Sequence, residues 1–109
     1  MNASELRDRL AIRPANSCLR RLAWDCDFAE PPALPELCSA LLAAGFVDDS
    51  RADFLRELRH QSGHSVLVVP RTGRVQLRLH YLTPLLERRA TAERFAHDLA
   101  GILPPHRAT

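Results

Sequence analysis

At 109 residues, 46% of them hydrophobic and 26% charged, the chain has the size and mix of one soluble globular domain, burying about 65% of its unfolded surface. All 15 basic residues are arginine, yet the formal net charge is only +2. That balance excludes an obvious electrostatic footprint for nucleic acid, and the joint abundance of Arg, Ala, Pro and Leu is what a GC-rich, bacterial-like coding composition gives.

The first dozen residues are charged throughout and lack the apolar stretch and small-residue cleavage site of a secretory signal. The apolar run from Ala40 to Val47 is too short to cross a bilayer, so no membrane partner is expected. Three cysteines without a signal point to free thiols in a reducing, cytoplasmic compartment.

Residues 1–30 read as an N-terminal helical segment. Asn2 and Glu5 form a weak capping box for a short helix carrying Leu6 and Leu10, which Pro14 ends. Asn16 or Ser17 caps a second helix, in which Leu19, Leu22, Ala23 and Cys26 recur at helical spacing. Prolines 31, 32 and 35 mark an extended connector into an α+β core over residues 31–103.

In the core, Pro35 suits the first turn of a helix whose stripe is Leu37, Cys38, Leu41 and Leu42, with Gly45 at its C-terminal cap. Residues 50–61 carry two patterns. Ser50 and Asp53 start a helix with Ala52, Leu55 and Leu58 on one side, whereas Phe54, Arg56, Leu58 and His60 alternate as a strand. An isolated hairpin is marginally stable, which favours the strand or a dimer that supplies a neighbour.

The clearest signal is the hairpin over residues 64–82. Val75, Leu77, Leu79 and Tyr81 alternate with Arg74, Gln76, Arg78 and His80, the period-2 mark of a half-buried strand. Pro70 suits a strand end, and Arg71, Thr72 and Gly73 make a three-residue loop closed by a left-handed glycine. That register puts Val69, Leu67 and Ser65 opposite Val75, Leu77 and Leu79 on the buried side, and Val68, Val66 and His64 opposite Gln76, Arg78 and His80 on the other. A two-residue Thr72-Gly73 loop would invert the first strand. A last helix follows, capped by Thr83 with Pro84 at its first position and a stripe of Leu85, Ala92, Phe95, Leu99 and Ile102. Gly101, Pro104 and Pro105 end it, leaving 104–109 as a disordered tail. The expected fold is therefore α+β: a small antiparallel sheet of two or three strands, packed on one face by helices.

Chemistry is sparse in this pattern. Cys18, Cys26 and Cys38 lack the spacing of a structural zinc site, and Cys26 and Cys38 fall on apolar stripes. His64 facing His80, with His60 near, is the one metal-like or pH-sensitive arrangement, although Arg78 opposes a cation. No phosphate loop, dinucleotide fingerprint or nucleophile elbow is present, and no cofactor is implied. The expected function is a small protein-interaction or adaptor module, homodimeric, that binds a protein through the outer face or edge of its sheet. Its contact residues are Arg71, Arg74, Gln76, Arg78, His64 and His80. A nucleic-acid-binding regulator using Arg71, Arg74, Arg78, Arg88 and Arg89 is the alternative, and a metal- or thiol-dependent enzyme a further one.

Overall fold

The computed structural model describes residues 9–15 and 20–103. Six antiparallel strands form one sheet: β1 (Leu10–Pro14), β2 (Ala23–Phe28), β3 (Val47–Asp48), β4 (Arg56–Arg59), β5 (Ser65–Val69) and β6 (Arg74–Arg78). Their order across the sheet is β1-β2-β6-β5-β4-β3. Helices α1 (Leu34–Ala43) and α2 (Arg88–Ile102) contribute to the core on one face, and a 3-10 turn, Leu85–Glu87, leads into α2. The α+β class, the antiparallel sheet and the C-terminal helix agree with expectation. The sheet, however, has six strands and not two or three.

The extra strands come from the segment that reads as helical. Trp24, Cys26 and Phe28 alternate with Asp25 and Asp27, and Leu10, Ile12 and Pro14 alternate with Ala11 and Arg13. This period-2 pattern competes with the helical spacing of Leu22, Ala23 and Cys26, and it wins because β2 pairs with both β1 and β6. Packing on both sides outweighs local preference. The expected short helix and its cap at Asn2, the cap at Asn16 or Ser17, Cys18 and the tail lie largely or wholly outside the described residues.

Residues 56–59 are a strand, and Leu58 is fully buried opposite Val66. Helix α1 has Pro35 in its first turn and buries Leu37, Cys38 and Leu41, while Leu42 stays exposed. Helix α2 begins later than expected. Thr83 does not cap it; its hydroxyl donates to the carbonyl of His80, and Pro84 and the 3-10 turn precede Arg88. Gly101 lies within the helix, which runs on to Ile102.

The β5–β6 register differs from both hairpin readings. Val69 pairs with Arg74, Val68 with Val75 and Val66 with Leu77, so the connection is a four-residue loop, Pro70 to Gly73. The amides of Thr72 and Gly73 both donate to the Val69 carbonyl, and Gly73, at φ 75°, takes the left-handed turn that lets the chain return. The shift inverts β5. Val66 and Val68, outside in the three-residue-loop reading and inside in the two-residue one, are fully buried beside Leu77 and Val75, and Ser65, Leu67 and Val69 lie on the opposite face. The face under the helices thus unites Leu10, Trp24, Leu58, Val66, Val68, Val75, Leu77 and Leu79 with Leu37, Leu41, Ala92, Phe95 and Leu99.

Candidate interaction face

No described element covers the other side of the sheet. Strand alternation and register place there Ala11 and Arg13 of β1, Asp25 and Asp27 of β2, and Arg74, Gln76 and Arg78 of β6. Ser65, Leu67 and Val69 of β5, Glu57 and Arg59 of β4, and Val47 of β3 complete it. Of the expected contact residues, Arg74, Gln76 and Arg78 stand together on this face. Arg71 is exposed in the hairpin loop, off the ladder.

The organising group is Asp25, opposite Gln76. Arg74 donates to both of its carboxylate oxygens, at 3.0 and 3.2 Å, and the Gln76 amide donates at 3.1 Å. Arg78 Nε in turn donates to Gln76 Oε1 at 3.4 Å. Burial works to raise the Asp25 pKa, but the hydrogen bonds from Gln76 and Arg74, with the charges of Arg74 and Arg13, hold it below the ordinary 3.8. Its side chain is only 13% exposed. Arg13 pairs with Asp27 at 3.4 Å, Arg59 with Asp49 at 3.2 Å, and the Ser65 hydroxyl with Glu57 at 3.4 Å. Leu67, between Gln76 and Glu57 in the ladder, is 8% exposed. Near the hairpin loop, Arg13, Asp25, Asp27, Thr72 and Arg74 line a shallow polar depression of about 390 Å³.

Such a face offers hydrogen-bond donors and acceptors already held in place, which lowers the ordering cost of binding. Asp25, Glu57 and Leu67 were not among the expected contact residues. The alternation in Trp24–Phe28 was the signal for Asp25, and the true register was needed for the other two.

The histidines lie elsewhere. His64 shares the helix-covered face with Val66, its ring 5.3 Å from Phe95, and so does not face the arginines. His80 follows the end of β6, and its backbone amide donates to His64 Nδ1 at 2.9 Å. The two meet, but as ring and backbone and not as paired rings on an outer face. Tyr81, expected in the core, is 71% exposed because β6 stops at Arg78 and the chain turns there. Among the described residues no group of three or more His, Cys, Asp or Glu side chains is placed to hold a metal ion. Cys26 and Cys38 point to the covered side; burial pushes the Cys26 thiol up to about 12 and raises that of Cys38. No described helix is long and apolar enough to cross a membrane.

The arginines of the nucleic-acid reading are dispersed. Arg74 is tied to Asp25, Arg88 donates to the carbonyls of Thr83 and Arg20, and Arg89 lies over the Trp24 ring at 5.5 Å. Comparisons with protein-family models, curated proteins and solved structures yield no match to this chain.

Proposed function

We propose that this protein is a small interaction module that receives a protein chain on the helix-free face of its sheet, and that the chain it receives is a second copy of itself. The observation that carries this reading is the charge layout of that face. One row across the strands holds Ala23, Arg78, Ser65 and Arg59; the next holds Arg13, Asp25, Gln76, Leu67 and Glu57. The first row holds Arg78 and Arg59 and no carboxylate, and the second holds Asp25 and Glu57 against one arginine, Arg13. A two-fold axis parallel to the rows and lying between them sets Arg59 of one copy over Glu57 of the other and Arg78 over Gln76, one strand from Asp25, the self-complementarity that an isologous contact requires. Arg78 is suited to this role because, among the described residues, it has no carboxylate partner; its bond is to Gln76.

The sheet edge is a poorer dock. The amide of Ala15 donates to Ala23 and that of Ala29 to Arg9, so the odd-numbered residues of β1 turn their backbone groups to β2. The backbone groups of Leu10 and Ile12 point away from β2, but Pro14 lacks a donor and Arg13 flanks the edge, both of which discourage strand addition.

Sedimentation velocity of the wild type and Arg78→Glu tests the reading. The wild type is expected to sediment as a dimer, and Arg78→Glu to weaken the dimer tenfold or more with an unchanged melting curve. Equal association by both proteins removes this face from consideration. Salt-sensitive binding of random duplex or single strands at low salt would favour the nucleic-acid reading instead.

A further inference from the structure

Three histidines outside the interaction face use the same atom in the same way. His60 Nδ1 accepts the amide of Ser62 at 3.1 Å, His64 Nδ1 accepts the amide of His80 at 2.9 Å, and His80 Nδ1 accepts the amide of Leu82 at 3.1 Å. A ring nitrogen that accepts must be unprotonated, so this arrangement calls for the Nε2–H tautomer at each ring. The first bond pins the β4–β5 turn. The other two run in series from that turn into the segment between β6 and α2, where the Thr83 amide and hydroxyl also bond to the His80 carbonyl. Gly63 makes room for this arrangement: at φ 91° it takes a left-handed turn, and a Cβ there would collide with the His80 ring.

We propose that His60, His64 and His80 form an acid-sensitive latch that holds the segment from His80 to Glu87 against the β4–β5 turn and releases it when the rings protonate. An imidazolium carries N–H on both nitrogens, so protonating His64 or His80 sets a donor against a donor and leaves an amide without its acceptor. Around His64 the neighbouring groups are aromatic rings and two further histidines. Phe95 of α2 packs on His60 and His64, and Phe46 on His60. Among the described residues the charges that bear on His64 are those of His60 and His80. Tyr81 stacks on His80 at 4.7 Å. Among the described residues no carboxylate bears on His64, so protonation gains no ion pair there. Burial first, then the neighbouring His80 and His60, lower the His64 pKa from 6.5. The held segment is the most apolar exposed stretch among the described residues, with Tyr81, Leu82, Leu85 and Leu86 all turned to solvent and Leu86 97% exposed. The latch therefore fixes how that stretch is presented.

Long-range 1H–15N spectra of the histidine rings in the full chain, titrated from about pH 8 to about pH 5, test this directly. The expected result is the Nε2–H tautomer for His60, His64 and His80 at the alkaline end. On acidification, exchange protection at the His80 and Leu82 amides, corrected for intrinsic rate, falls about tenfold or more while that at Val66 and Leu77 holds. An Nδ1–H tautomer for His64 or His80 at the alkaline end, or loss of protection in step with the core, overturns the proposal. His64→Asn supplies a second arm, because its amide oxygen stands near the position of Nδ1 and accepts without titrating. It is expected to keep the His80 amide protected across the range, and an acid response equal to that of the wild type contradicts the latch. Should that variant fail to fold, the wild-type ring spectra decide alone.

Discussion

At the scale of single residues, two groups do more than their neighbours. Asp25 gathers Arg74 and Gln76, and its lowered pKa has a definite sign in stability. The contribution is fully present above the ordinary 3.8 and disappears as pH falls through the lower folded value, where the native carboxylate takes up its proton. Asp25→Asn is therefore expected to melt below the wild type at neutral pH, with the two curves converging in strong acid. A pH series of thermal melts checks this. Gly63 is the other. Gly63 and Gly73 both have positive φ, but a Cβ at Gly73 meets nothing while one at Gly63 strikes His80. Gly73→Ala should cost about 1 kcal/mol from backbone strain alone. Gly63→Ala should cost about 2 kcal/mol or more and remove the exchange protection of the His80 amide, by urea unfolding and amide exchange respectively.

At the scale of elements, the β5–β6 register decides which residues reach the core. Val68 is fully buried and Val69 half-buried on the other face, so Val68→Ala should cost about 2 kcal/mol and Val69→Ala less than about 1, read from urea unfolding. The three-residue loop reading requires the reverse order. The alternation in Arg74–Arg78 was legible because one face is apolar and the other polar. Ser65–Val69 was not, because Val66, Leu67 and Val68 are all buried and no alternation marks the faces. A continuous apolar run has no face of its own, and its register then rests on loop length. β1 and β2 were hidden for another reason: Leu22, Ala23 and Cys26 fit a helix as well as Trp24, Cys26 and Phe28 fit a strand, and only the pairing of β2 with β6, about fifty residues away in sequence, settles it. Arg74, Gln76 and Arg78 followed from their own strand. Asp25, brought from that distant partner, did not.

At the scale of the whole molecule, the two faces of the sheet have different duties. One is sealed by α1 and α2 over a single apolar cluster that includes fully buried Leu37, Leu58, Leu77 and Leu99. The other carries an ordered array of arginines and carboxylates that no described helix covers. Antiparallel sheets tolerate one solvated face, so bareness alone is ordinary. The proposed cover, a second copy, rests on Arg78 and Arg59 standing in one row and Asp25 and Glu57 in the next. Native mass spectrometry of the full 12.2 kDa chain, as isolated and over a range of concentrations, tests that claim most directly. A species of twice the chain mass that dissociates on dilution is the predicted result, and a chain that stays monomeric at every concentration contradicts it.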